Sequence, residues 1–276
     1  METSYHREWL QKQVEKADKL LEVYGKEGTA DAEIILCCTA SALASTLWRR
    51  RENDRFDRKR FVEFLVKFSN SNPSIEKISI CSLARYFEQK KKDNELNIII
   101  KNFFGSEFNY KEKTSFEYGE TGNGLYASAL SEIIEPEDID VAEDKIQTIV
   151  PVLKLSEIRK SSYANIIYTD LRSGLIHEYE VSGNLSWFGR ARNGDKICYM
   201  NFIEFPAEND VQNLAKKHSI KPEEARDALS RTQRRLFFPY TYIKEVVVTS
   251  AISLFEYWEA TSKFEQPYPL KWWADG

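Results

Sequence analysis

Apolar positions recur at the spacing of one helix face from near the start of the chain. From Tyr5 to about Lys26, the residues Trp9, Leu10, Val14, Leu20, Leu21 and Val23 stand among charges, which predicts an amphipathic helix ended by Gly25 and Gly28. From about Asp31 to Trp48 the pattern changes. Ile34, Ile35, Leu36, Ala40, Ala42, Leu43, Ala44 and Leu47 leave few polar faces, so this second helix is expected to be largely buried. A third, roughly Arg58 to Phe68, carries Phe61, Phe64, Leu65 and Phe68 on one stripe and stops at the turn-forming run Ser69 to Pro73. A fourth is expected over Ile80 to Lys91.

Further along, the periodicity breaks and returns. Between about Gly105 and Gly124 glycines, charges and aromatics follow no period, and Pro136 with its acidic neighbours extends this irregular insertion to about residue 150. Helical spacing resumes from Leu155 through Ile158, Ile166, Ile167, Leu171 and Leu175, ending near Ser182-Gly183. The dipeptide Asn193-Gly194 favours positive φ, so Ser186 to Arg192 and Lys196 to Phe205 predict a β-hairpin over about 185–205. After Pro206 two short helical stretches flank Ser219 to Pro222, and a long apolar helix runs from about Tyr242 to Thr261. The tail from Pro267 to Gly276, with Trp272 and Trp273, reads as an arm that packs against a neighbour. There is no internal repeat. The expected fold is mainly α: a single domain over 1–276, a helical bundle with an inserted β-hairpin and an irregular insertion.

Composition adds limits to this picture. With 276 residues, 42% of them apolar, the chain can bury a full core without disulfide or metal staples. A formal charge of −4 excludes a surface that coats nucleic acid by charge alone, so any RNA binding must be local. One basic run holds Arg49, Arg50, Arg51, Arg55, Arg58, Lys59 and Arg60; a smaller one is Lys90-Lys91-Lys92. Acids cluster at Glu132, Glu135, Glu137, Asp138, Asp140, Glu143 and Asp144. All three read first as solvated surface, with Arg49, Arg50 and Arg51 as the candidates for holding RNA phosphate. Cys37, Cys38, Cys81 and Cys198 lack metal-ligand spacing, so no metal and no cofactor is expected. The opening METSYHREWL has no signal-peptide core, Val246 to Phe255 is too short to span a bilayer, and the few thiols suit a reducing cytoplasm. His6 and His218 sit among charges and read as exposed.

The segment Asp170-Leu-Arg-Ser-Gly-Leu-Ile-His-Glu-Tyr179 carries the candidate chemistry. Cutting RNA without metal needs a base for the 2′-hydroxyl proton, an acid for the leaving 5′-oxygen and a cation facing the charge on phosphorus. His177 suits the proton transfers, because an imidazole titrates near neutral pH. Arg172 suits the cation role, since a guanidinium stays charged and offers a planar fork of donors to phosphate oxygens. On a regular helix these two lie about 140° apart, whereas Arg172 and Tyr179 fall within about 20° of each other. One straight helix therefore does not converge all three.

Arg172, His177 and Tyr179 spell R-x-x-x-x-H-x-Y near the end of an apolar helix, and this resembles the signature of the HEPN superfamily, in its ribonuclease branch. The resemblance implies a helical bundle that pairs two copies of the motif helix across a two-fold axis, so that a homodimer lines one cleft with both arginines and both histidines. It also implies RNA as substrate, a role as toxin or anti-phage defence effector, and an antitoxin or inhibitor protein as partner. Tyr179 would orient His177, bind phosphate, or serve as the target of a modifying partner. Gly174 would allow close helix approach. Family members often carry Asn, Asp or His directly after the arginine; here Ser173 stands there with a shorter reach. They also often place a polar residue on an earlier helix facing the site, a place that Asp31 or Glu33 would fill.

Two other readings stay open. Leu214 to Ala225 resembles half of a helix-turn-helix, with Arg226, Arg231, Arg234 and Arg235 downstream, although any two amphipathic helices joined by a short turn look the same. A catalytically silent HEPN scaffold that binds RNA or a partner protein is the other, and Ser173 leans towards it.

Overall fold

The computed structural model describes residues 3–47, 57–69, 73–104, 139–178, 196–204, 206–229 and 231–261. In chain order the elements are α1 (Ser4–Tyr24), α2 (Thr29–Leu47), α3 (Asp57–Phe68), α4 (Ile80–Gln89), α5 (Asp93–Ile99), α6 (Glu143–Ile149), α7 (Leu155–Ile158), α8 (Tyr163–Ile166), α9 (Ser173–Glu178), β1 (Cys198–Glu204), α10 (Glu208–His218), α11 (Pro222–Leu229), β2 (Arg231–Phe237) and α12 (Tyr240–Thr261). The chain is thus mainly helical, with one small sheet among the described residues.

The turn from α1 to α2 depends on two glycines. Gly25 takes φ 57° and its N–H donates to the carbonyl of Leu21, closing α1 in a conformation other residues resist. Gly28 passes so close to α1 that a Cβ there would sit 2.3 Å from the carbonyl oxygen of Leu20. Gly28→Ala is therefore expected to cost about 1–3 kcal/mol by forcing the backbones apart. A urea-unfolding midpoint equal to wild type would show that the helices do not meet this closely.

Four helices make much of the core, which α4, α8 and β2 also join. α2 packs against α1, α3 and α12, and α12 in turn packs against α1 and α3. α2 supplies Leu36, Cys37, Ala40, Leu43, Ala44 and Leu47, all fully buried, which is why its sequence is apolar nearly all round. By length and composition this helix could cross a membrane, yet more than half of it is buried inside the protein, as in a core helix. α3 contributes Phe61, Phe64, Leu65 and Phe68, and Trp258 of α12 is 1% exposed. His6 packs on Trp258 at 5.3 Å and on Phe255 at 6.0 Å. It is half-buried and not the exposed group its charged neighbours suggested, because the start of α1 docks on the end of α12. There Thr3 hydrogen-bonds Glu259, and Arg7 pairs with the same carboxylate at 3.2 Å.

The sheet departs from expectation. Residues 198–204 do form a strand, but their partner is β2, antiparallel, from Cys198 opposite Phe237 to Glu204 opposite Arg231. The expected partner, Ser186 to Arg192, lies outside the described residues. Between the strands α10 and α11 form a helical hairpin with a small core of its own: Val211, Ala215 and Ala225. Ser219, at φ 54°, caps α10 by donating its N–H to the carbonyl of Ala215. His218 is exposed there, as expected.

Other stretches also differ from their pattern. The helical spacing from Leu155 onward is one series of short turns: α7, a 3-10 turn Arg159–Ser161, α8, a π-turn Ile167–Arg172 and α9. The end of the irregular insertion is helical, as α6; 105–138 and the tail lie outside the described residues, so the expected insertion and arm do too. Two charges assigned to solvated runs are internal: Arg60 is 3% exposed and Asp140 is 4% exposed. Asp140 accepts hydrogen bonds from Tyr163 Oη at 2.5 Å, Tyr199 Oη at 2.8 Å and the Ile80 N–H at 3.0 Å. Ser79 Oγ lies 2.7 Å from the same Tyr199 hydroxyl. This carboxyl ties α4, α8 and β1 together, and only folding could assemble those donors.

Candidate functional site

The motif segment lies against α2 and α3. Its helix is wound in the wider π form over Ile167–Arg172, where the Ser173 N–H donates to the carbonyl of Tyr168, five residues back. Such turns are rare and recur at functional sites. Arg172 closes the π-turn and is half-buried. Its Nε donates to Ser41 Oγ of α2 at 3.2 Å, Nη1 reaches Tyr168 Oη at 3.5 Å, and the guanidinium carbon lies 4.9 Å from the Tyr168 ring centroid. The stacking contributes about 0.5–2 kcal/mol and fixes the plane of the fork. None of these partners is charged. Among the described residues its contacts are to a hydroxyl and a phenol and not to a carboxylate.

The facing surface of α2 carries Glu33, Cys37 and Ser41, each one helical turn beyond the last. Glu33 is 3% exposed and Cys37 is fully buried. Burial first, then Glu33 and Cys38, push the Cys37 thiol well up, while the nearby Arg172 pulls it down. Glu33 therefore sits on the stripe that faces the motif. Asp31 stands two residues earlier, about 200° around the helix, half-buried and off that stripe.

His177 lies on α9, where its side chain is exposed. Five steps of α-winding separate it from Arg172, which on a regular helix is about 140° of rotation. Among the described residues the contacts of Arg172 are to Ser41 and Tyr168, not to the imidazole. Ser173 is half-buried and Gly174 is buried on the same segment. Tyr179 and the triplet Arg49, Arg50 and Arg51 lie outside the described residues.

Two neighbours of Arg172, Tyr168 and Ser41, were not among the expected residues. Tyr168 stands four positions before Arg172, a spacing at which helical side chains meet, so its signal was present in the sequence. Ser41 comes from a distant segment, α2, and carries no such signal. Tyr168 also packs on Phe61 of α3 at 5.3 Å, which holds the ring in place under the guanidinium. Compared with models of protein families, with curated proteins and with solved structures, the chain matches none of them.

Proposed function

We propose that this chain is an endoribonuclease of the HEPN type that cuts RNA without a metal ion, works as a homodimer, and serves as a toxin or anti-phage defence effector. The observation that carries the reading is the state of Arg172: anchored by a hydroxyl and an aromatic ring, half-buried, and in contact with no carboxylate among the described residues. A structural arginine in that position would normally be paired, since an unneutralised charge shielded from water is costly. An arginine awaiting a phosphate would be held as this one is.

In the proposed reaction a histidine takes the proton of the 2′-hydroxyl, the 2′-oxygen attacks phosphorus, and the bond to the 5′-oxygen breaks as that oxygen receives a proton. The products are a 2′,3′-cyclic phosphate and a free 5′-hydroxyl. Arg172 stabilises the charge that builds on the non-bridging oxygens. Because a regular helix turns His177 about 140° away from Arg172, the partner's His177 supplies the imidazole opposite each guanidinium. Purified protein incubated with single-stranded RNA in EDTA is expected to yield fragments ending in 2′,3′-cyclic phosphate. Binding without cutting would favour the silent scaffold, and no cutting at any protein concentration defeats the nuclease reading.

The helical hairpin α10–α11 is the feature behind a second reading, duplex DNA binding. Its Arg226 donates to Glu208 at 2.8 Å within the hairpin itself, which takes one of the expected DNA-contacting cations out of play. Sequence-preferring binding to duplex DNA would nonetheless promote it over the nuclease.

A further inference from the structure

Two side chains hold the Arg172 guanidinium, and they leave one end of it open. Its Nε donates to Ser41 Oγ at 3.2 Å, and its carbon lies 4.9 Å from the centroid of the Tyr168 ring. The Tyr168 hydroxyl is a poorer partner than the ring: Nη1 reaches it only at 3.5 Å, the long limit of a hydrogen bond. Among the described residues these contacts occupy Nε, Nη1 and one face of the guanidinium, and none of them uses Nη2. The ring therefore sets the tilt of the plane, and Ser41 sets its direction.

The ring is itself fixed from two sides. Tyr168 is half-buried and packs on Phe61 of α3 at 5.3 Å, and Phe61 is 1% exposed. The backbone does the rest. The bond from the Ser173 N–H to the Tyr168 carbonyl closes the π-turn, so the widened stretch runs from the ring to the guanidinium stacked on it. Departures from regular winding persist where the surrounding packing over-determines them, and here that packing is the stack of Phe61, Tyr168 and Arg172. An arginine free to rotate must be ordered anew by every anion it binds. One held at Nε and across its face meets the anion already aligned.

We infer that Tyr168 is a positioning residue for Arg172: its ring, more than its hydroxyl, fixes the plane in which the guanidinium meets a phosphate oxyanion. The π-turn is the backbone device that keeps the ring beneath it. The effect on cleavage rests on the ribonuclease reading; the alignment of an anion-binding guanidinium rests on the geometry. Tyr168 lies outside the R-x-x-x-x-H-x-Y motif and acts through Arg172, with no contact to the substrate required of it.

The test uses the full chain and steady-state cleavage of a single-stranded RNA, at a temperature well below every variant's melting point. Tyr168→Leu, which removes the ring, is expected to lower kcat roughly tenfold and to move KM by less than about twofold, because a misaligned fork costs most where charge builds on phosphorus. Tyr168→Phe keeps the ring and is expected to hold kcat within about twofold of wild type. A ring that serves packing alone would give Tyr168→Leu a lower melting temperature with a wild-type kcat, and that result overturns the positioning role. Equal losses of kcat in Tyr168→Phe and Tyr168→Leu would overturn the ring as the group that acts. If Tyr168→Leu does not fold, Tyr168→Met, an unbranched and adaptable replacement, carries the same expectation.

Inorganic phosphate supplies an arm that needs no cleavage. It is expected to raise the melting temperature of wild type and of Tyr168→Phe alike, and that of Tyr168→Leu by less than about half as much. A chain that never cuts RNA but shows this phosphate pattern loses the nuclease reading and keeps the positioning role. One whose Tyr168→Leu variant cuts RNA at the wild-type rate loses the positioning role and keeps the nuclease. No cutting and no phosphate effect on wild type overturns both.

Discussion

His177→Ala is expected to abolish RNA cleavage, by roughly 10²–10⁴-fold, while leaving stability within about 0.5 kcal/mol of wild type. Few substitutions separate function from folding so cleanly, and the reason is the exposure of this side chain on α9. It packs into no core, so its removal leaves no cavity. Arg172→Ala is expected to reduce cleavage by a comparable factor, at roughly 10²–10³-fold, for a different reason: the charge on phosphorus loses its stabilising fork. It also releases Ser41 and Tyr168, so its stability should fall by about 1 kcal/mol. Arg172→Lys should not restore activity, because an ammonium cannot both donate to Ser41 and present a planar pair of donors to phosphate. Mixing the two inactive alanine variants gives a further readout. If each site takes an arginine from one subunit and a histidine from the other, the mixed dimer holds one intact site and recovers part of the activity. Cleavage by His177→Ala at the wild-type rate would remove the site assignment altogether.

Stability should depend on pH through Asp140, and the Asp140→Asn variant should lose that dependence. Burial pushes the Asp140 carboxyl up to about 7, with the donors Tyr163, Ile80 N–H and Tyr199 and the more distant Lys77 opposing that rise. In the unfolded chain the same group titrates near about 3.9. A carboxyl raised in the folded state favours the protonated form, so its contribution is fully present below the unfolded value and is lost as pH rises through the folded one. The window is therefore about pH 4 to 7, and the loss across it amounts to a few kcal/mol. Tyr163 and Tyr199 are themselves pushed well up by burial and by Asp140, so they stay neutral donors throughout the window. Wild type measured against Asp140→Asn by urea unfolding should show a difference that shrinks, or reverses, towards neutral pH. A constant difference from pH 4 to 8 would mean that Asp140 does not change its charge state on folding. Asp140→Ala is expected to be worse at every pH, by about 3 kcal/mol or more, because it strands two buried hydroxyls and an amide.

The helices that build the core were legible in the sequence within a few residues. α1, α2, α3 and α12 each place apolar side chains on a face or all round, and that spacing survives whatever the rest of the chain does. β2 shows the opposite case. Arg231, Thr232, Gln233, Arg234 and Arg235 have no apolar alternation, and the stretch is a strand because Cys198–Glu204 offers it a ladder of backbone partners. The motif segment shows a third. Its apolar period was visible, but the π-turn that re-aims Arg172 across Tyr168 was not, since the change in winding depends on how the segment seats against α2 and α3.

The sequence by itself determined a mainly helical chain and an arginine and a histidine separated by four residues on one apolar segment. Both follow from local periodicity, which needs no knowledge of distant contacts. Only the tertiary structure decided which charges are internal. Arg60 and Asp140 stand in runs that read as solvated surface, yet both are buried, and Asp140 is held by donors from three separate elements. The physical reason is that a charged group can be buried only where partners converge on it, and those partners lie far away in the chain. The same holds for Arg172: its place in the motif is written in the sequence, whereas its neutral anchors, Ser41 and the ring of Tyr168, come into reach only when α2 packs against the motif segment.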